Sequence, residues 1–170
     1  MKTKRPIESL TVLTDMVLPG ESNPLSNLFG GELLARMDRA CSIAAQRHSR
    51  HIVVTASVNH VAFNKAVPVG SVVTVEAKVS RAFNSSMEVY ADVWVENRED
   101  GQRTKVNEGI YTFVAVDLNG RPVKVPPIEP ETELEIQRYE SALRRKQLSL
   151  VLSKKMKPND ATELKALFLD

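Results

Sequence analysis

Asn23-Pro24-Leu25-Ser26-Asn27-Leu28-Phe29-Gly30-Gly31-Glu32-Leu33-Leu34-Ala35-Arg36-Met37-Asp38 is the stretch whose reading decides the fold. It begins with turn and cap residues, passes through a glycine pair and enters a helix. From Leu33 the apolar positions fall at Leu33, Leu34, Met37, Cys41, Ala44 and Ala45, the spacing of one helical face, and the helix is expected over about Gly31 to His48. Asp38 lies about 40° from Leu34 on the helical wheel, inside the apolar stripe. A carboxylate there is either bonded to a neighbour as a boundary residue or held for use as a base. Gly30 and Gly31 stand where the first N–H groups of a helix have no intrahelical acceptor. A first turn without bulky side chains lets a ligand oxygen reach those donors, although Gly-Gly also serves as a plain turn. A candidate base, a candidate oxyanion site and side-chain amides therefore share one segment.

Outward from this helix the chain reads as strands. Ser9–Leu18 is a first strand, stopped by Pro19-Gly20. After the helix come Ile52–Phe63, Ser71–Phe83, Met87–Asn97 and Arg103–Asp117, with Asn84-Ser85-Ser86 and the Asp100-Gly101 segment as hairpin turns. One helix against a run of antiparallel strands is α+β, a sheet covered on one face by a long helix. Pro126, Pro127 and Pro130 close that unit, giving a domain over 1–127 and a helical extension over 128–170. In the extension, Glu129, Glu131, Glu133 and Glu135 lead a helix ending near Lys146, with Arg144, Arg145 and Lys146 suiting its C-terminal dipole. Lys154, Lys155 and Lys157 form a basic cluster, a solvated face or a phosphate contact, and Asp160 is the expected N-cap of a last short helix.

Composition narrows the function classes. At 170 residues, 42% hydrophobic and 26% charged, this is an ordinary globular chain. A net charge of +2 does not describe a nucleic-acid binder. The single cysteine, Cys41, excludes an internal disulfide and reads as a small core residue. His48, His51 and His60 make no metal-spaced pair, so no metal and no cofactor are expected. No apolar run reaches the roughly 18 residues of a membrane span, and no h-region follows the basic N-terminus. The expected setting is cytoplasmic, without membrane or nucleic-acid partners.

Simple geometry brings in a third residue. From Asp38 to the helix end near Ser49 is about 16 Å at 1.5 Å per residue. If the chain turns back at Arg50, five strand residues cover about 16 Å and return it level with Asp38 at Thr55. A hydroxyl and a carboxylate could then face one site, or Thr55 could simply be a good strand former.

With these residues together, the chain resembles a known family. Asn23, Asn27, Phe29-Gly30-Gly31, Met37-Asp38, Val54-Thr55, Phe63–Gly70 and Ser85-Ser86-Met87-Glu88-Val89 are similar to the acyl-coenzyme A thioesterases of the hot-dog fold, in the group holding the YciA-type bacterial enzymes and the brain-type cytosolic acyl-CoA hydrolases. The resemblance spans roughly Ser9 to Pro127. It implies a single hot-dog fold, a long central helix wrapped by a curved antiparallel sheet. It also implies pairing with a copy of itself and trimers of such dimers. Carried across, Asp38, Asn23 and Thr55 match the catalytic aspartate, asparagine and threonine. Asn27, an aspartate in some members, is read as shaping the loop. The implied chemistry is hydrolysis of acyl-CoA to free acid and CoA. Asp38 would activate water, or less simply act as a nucleophile. The Gly31 N–H, beside Gly30, would polarise the carbonyl. Asn23 would hold the water or carbonyl, and Thr55 would orient Asp38. Lys65, Arg81, Asn84, Ser85 and Ser86 are the candidates for the pantetheine–nucleotide arm. The same resemblance places Asn23 of one protomer against Asp38 of its partner. An alternative is a non-catalytic acyl-CoA-binding sensor, but no effector segment such as a helix-turn-helix is visible. A hot-dog dehydratase would need a histidine where this chain has Asp38.

Overall fold

The computed structural model describes residues 1–169, which fall into two compact units, Met1–Glu129 and a second beginning at Pro130. In the first unit the order is β1 (Thr11–Met16), α1 (Gly30–Ser49), β2 (Ile52–Asn59), β3 (Val72–Ala82), β4 (Ser86–Glu96) and β5 (Arg103–Val116). The strands form one antiparallel sheet in the order β1-β3-β4-β5-β2, so β1 and β2 are its two edges. The sheet curls around α1, and this is the single hot-dog fold expected from the sequence. Register shifts at Val79/Arg81, Val93/Trp94 and Thr55/Ser57 add the local bends such a curl needs.

Helix and sheet meet through small residues. Ala40, Cys41, Ala44 and Ala45 are fully buried on α1, and so are Ala77 on β3, Ala91 on β4 and Ala115 on β5. Met37 needs more room and finds it at Gly109: a Cβ on Gly109 would lie 2.5 Å from the Met37 Cε and 3.0 Å from a Val61 methyl. Arg50 ends α1 in the left-handed region (φ 60°), its N–H donating to the Gln46 carbonyl at 2.8 Å. Lys4 sets its ammonium on the His48 carbonyl at 2.6 Å, a cation where the helix dipole favours one. The buried His48 ring bonds the Pro126 carbonyl at 2.7 Å.

Two boundaries of the first unit differ from expectation. β1 is shorter, because Pro19–Glu21 is already a 3-10 turn and Val17 leaves the ladder to bond Ser71 and Gly70. β2 ends at Asn59, four residues before Phe63. His60 enters the left-handed region (φ 53°), and the chain peels away from β5 there although apolar residues continue. The outer side of β2 has no partner strand among the described residues, and Ile52, Val54 and Val58 stand about half exposed along it.

In the second unit Thr132 caps α2 (Glu133–Leu152) in a reciprocal box with Glu135. This helix runs six residues past Lys146. Arg144, Arg145 and Lys146 are thus in its interior and not in its last turn, because no breaker precedes Pro158. Asp160 is not an N-cap. It closes a 3-10 turn, Pro158–Asp160, and Ala161 precedes the four-residue α3 (Thr162–Lys165). No helix among the described residues is long and apolar enough to cross a membrane.

Candidate functional site

Asp38 sits midway along α1 on the side that faces the β2 edge. The Thr55 hydroxyl donates to its Oδ1 at 2.9 Å, the one hydrogen bond its carboxylate makes among the described residues. Thr55 is paired with Phe113 on β5, and the bulge that follows it places Ala56 as an extra residue before Ser57 pairs with Thr112. Such a bulge re-aims side chains, and here it goes with a hydroxyl turned to the helix. Behind this pair Tyr111 and Phe113 are buried. The Tyr111 hydroxyl donates to the Leu34 carbonyl, one helical turn before Asp38, at 3.1 Å. Burial holds the Tyr111 phenol well above its ordinary value, with the Cys41 and Asp38 charges adding to the effect.

The glycine pair opens α1 without a side-chain cap. The Glu32 and Leu33 N–H groups return to the Phe29 carbonyl, while those of Gly30 and Gly31 have no acceptor among the described residues. Two exposed aromatic rings flank them. The Phe63 ring would lie 3.4 Å from a Cβ on Gly30, and the Phe29 ring 3.7 Å from one on Gly31. Free donors beside apolar rings suit a carbonyl oxygen that gains charge.

Asn23 heads a tight loop. Its Oδ1 accepts the Leu25 and Asn27 N–H groups at 3.0 and 3.2 Å, which leaves the Nδ2 amide as its outward donor. Asn27 also accepts the Asn23 N–H through its carbonyl at 2.8 Å, so it shapes the loop. The loop is fastened by Leu28 N–H to the Val67 carbonyl (2.7 Å) and Val69 N–H to the Ser26 carbonyl (3.0 Å). Glu21 then ties it to α1. Its carboxylate accepts the Leu18 N–H at 2.9 Å and the Arg36 guanidinium at 2.7 Å, and these two bonds hold it below the usual carboxylate range. Arg36 is buried and also donates to the Met16 carbonyl at the end of β1. Arg36 is not among the candidate residues of the sequence analysis. The available signal was an arginine three residues after Leu33 and four before Ala40, inside the apolar stripe, where a buried cation requires a partner.

Arg36 and Asp38 are two residues, and so about 200°, apart around α1. One points to the β1 side with the Asn23 loop, the other to β2. Within one chain Asn23 and Asp38 therefore serve opposite flanks of the same helix.

The five residues proposed for the pantetheine–nucleotide arm do not gather in one place within the chain. Asn84 and Ser85 form the turn between β3 and β4, with their carbonyls accepting the Val125 and Ala115 N–H groups. Ser86 opens β4 opposite Val114, and Arg81 lies with its guanidinium 5.7 Å from the Phe83 ring centre. Lys65 is elsewhere, beside Lys105–Glu108 of β5. Seven residues of β5 separate Asn107 from Val114, roughly 24 Å of extended strand. Lys65 is a strand-end residue as expected, but of the other end.

Comparisons with known proteins identify the family. The thioesterase superfamily profile matches residues 25–102, from the Asn23 loop through the β4–β5 turn. An uncharacterised acyl-CoA thioester hydrolase, YkhA of Bacillus subtilis, is 41% identical over 138 residues, 81% of this chain and 80% of its own. The chain belongs to the thioesterase superfamily. Among solved structures, this superfamily member is 32% identical to an acyl-CoA hydrolase from Staphylococcus aureus in complex with butyryl coenzyme A, coenzyme A and coenzyme A disulfide (TM-score 0.85, 91% of this chain and 96% of that one). It is 39% identical to an apo-hexameric acyl-CoA thioesterase (TM-score 0.83, 86% and 94%). The Staphylococcus aureus hydrolase was also solved with an asparagine, an aspartate or a threonine replaced by alanine, at 29%, 31% and 31% identity and TM-scores of 0.84, 0.85 and 0.84. Those three residues are 15 and 17 positions apart in that protein, as Asn23, Asp38 and Thr55 are in the present superfamily chain.

Proposed function

We propose that this chain hydrolyses acyl-CoA thioesters to free acid and CoA. Asp38 is the general base on water, Thr55 orients it, and the Gly31 N–H with that of Gly30 receives the developing oxyanion. Asn23 donates its Nδ2 to the water or the thioester carbonyl. The observation that carries this reading is the Thr55–Asp38 hydrogen bond on a helix whose opening glycines keep unused N–H donors. A thiolate is a good leaving group, so an activated water and a stabilised oxyanion suffice, and no strong acid is needed. The same three residue types at the same spacing in the Staphylococcus aureus hydrolase support the assignment.

The complete site needs two chains in this reading. Asn23 and Asp38 serve opposite flanks of α1, and β2 leaves an unpaired edge beside Asp38 lined by Ile52, Val54 and Val58. Pairing that edge with a second copy removes an aggregation-prone feature and brings a second Asn23 loop toward Asp38. Three such dimers make the hexamer, the state in which one solved relative is described. Arg81, Asn84, Ser85 and Ser86, together at the β3–β4 end, receive the polar arm of CoA.

A panel of short, medium and long acyl-CoA substrates with free-thiol detection tests the proposal. Thiol release by the purified chain is the expected result. Binding of acyl-CoA without release would replace hydrolysis by the sensor reading.

A further inference from the structure

Arg36 is a buried cation on α1, and the reaction proposed above makes no use of it. Its Nη2 donates to the Glu21 carboxylate at 2.7 Å and to the Met16 carbonyl at 3.2 Å, with the Asp15 carboxylate 3.9 Å away. Its Nη1 is buried and has no acceptor among the described residues. A buried ion pair contributes little net stability, because desolvation offsets the attraction, and an unsatisfied donor adds a further cost. An apolar side chain of similar length would fill the same space without either cost. What Arg36 does that such a side chain does not is hold Glu21.

Glu21 is the neck of the Asn23 loop. Its carbonyl accepts the Phe29 N–H at 2.8 Å, its N–H donates to the Leu18 carbonyl at 3.0 Å, and Ser22 bridges Leu28. The loop is closed there, with Asn23 just inside and its Oδ1 folded onto the Leu25 and Asn27 N–H groups. Its tip is fastened only to Val67 and Val69, in a connection outside the regular elements. Arg36 fastens the neck to α1 itself, two residues before Asp38 and on the other flank. A displacement of about 1 Å in a group that orients the reacting atoms costs up to about 10²-fold in rate, so this tie bears on the Asn23 amide.

We propose that Arg36 is a positioning residue for the partner's site: through Glu21 it sets the Asn23 loop that meets the partner's Asp38, and it does nothing for the Asp38 of its own chain. The proposal rests on the two-chain reading given above. One helix thereby serves two sites, with the base on one flank and the anchor of the asparagine on the other.

Complementation tests it. Arg36→Met keeps the length and removes the charge, so the fold should survive, which circular dichroism and light scattering check. Its kcat in thiol release should fall about tenfold or more with KM within about twofold, since the loop orients the reacting group and not the CoA arm. Co-refolded in equal amounts with Asp38→Ala, it should recover roughly a quarter of wild-type activity, because each mixed dimer has one site with an intact loop and an intact base. Co-refolded with Asn23→Ala, it should stay at about one-twentieth or less, because every site then has a damaged loop. Recovery with Asn23→Ala, or with neither partner, overturns the proposal, as does near wild-type turnover by Arg36→Met. Glu21→Gln breaks the same tie from its other end and should complement in the same pattern, so the test survives if Arg36→Met does not fold. Asn23→Ala with Asp38→Ala is the control. If that pair recovers, the two-chain reading stands whatever the Arg36 pairings do; if it does not, the reading falls and this proposal with it. Thiol release by the wild type reports hydrolysis separately.

Discussion

If the Thr55 hydroxyl acts through Asp38, removing it costs rate only while Asp38 is a carboxylate. The perturbation is Thr55→Val, which keeps the shape and deletes the 2.9 Å donor. A hydrogen bond to a charged group contributes about 1.5–3 kcal/mol. Thr55 is exposed and Asp38 half-buried, so water competes and the lower end applies. At 1.36 kcal/mol per factor of ten, about 1.5 kcal/mol is roughly a tenfold loss of kcat/KM. Asp38→Asn removes the base and lowers kcat by roughly 10² or more. In the double variant the hydroxyl has no carboxylate to orient, so Thr55→Val should cost no more than about twofold beyond Asp38→Asn alone. The assay is thiol release at saturating and at low acyl-CoA, with circular dichroism and light scattering to show that fold and assembly persist. Two results refute the reasoning. A tenfold loss from Thr55→Val in both backgrounds makes Thr55 independent of Asp38. Near wild-type turnover by Asp38→Asn makes Asp38 a boundary residue of the helix.

Three further outcomes are expected. Asn23→Ala and Asp38→Ala should each be nearly inactive, whereas co-refolding equal amounts should restore roughly a quarter of wild-type activity, since half of randomly formed dimers are mixed and each has one intact site; mixed dimers without activity would place both residues in one chain's site. Burial holds His48 below its ordinary value, with Lys4 acting the same way and the Pro126 carbonyl and Glu8 opposing. The unfolded chain then takes up the proton first, so stability is full above about pH 6.5 and declines as the pH falls toward the folded value, and His48→Gln should flatten that part of a Tm-against-pH curve. Gly109→Ala forces a methyl group against Met37 and Val61 and should cost about 1–3 kcal/mol by urea denaturation, part of it regained with Met37→Ala.

The helix that decides the fold was legible because its apolar stripe is periodic and both ends carry strong signals: the glycine pair at one, and Ser49-Arg50 before a β-branched run at the other. Thr55 could be placed level with Asp38 by counting residues, because rise per residue is fixed for both elements. Its facing direction was not legible, since it comes with a bulge and period-two patterning says nothing of an extra residue. The end of β2 was misread for a related reason. Val58, Val61 and Phe63 continue the apolar pattern, but the ladder stops at Asn59, and which residue leaves a strand is set by its partner, here Ile110. The charge of the Arg144–Lys146 cluster suits a helix end, but no breaker follows it before Pro158 and α2 continues to Leu152. Lys65 and Ser86 both stand near strand ends in sequence, yet only the pairing register shows that they are different ends.

Cys41 has a practical consequence for every assay named above. It is the only sulfhydryl in the chain, fully buried, and burial with the nearby Asp38 charge pushes its thiol well above the ordinary range. Only the thiolate attacks an electrophilic thiol reagent, so the folded protein should give almost no background. An Ellman-type readout then counts released CoA alone, even at high enzyme concentration. Once a variant unfolds, the same reagent counts one sulfur per chain. Each kinetic experiment therefore carries its own record of whether the catalyst was still folded when its rate was read.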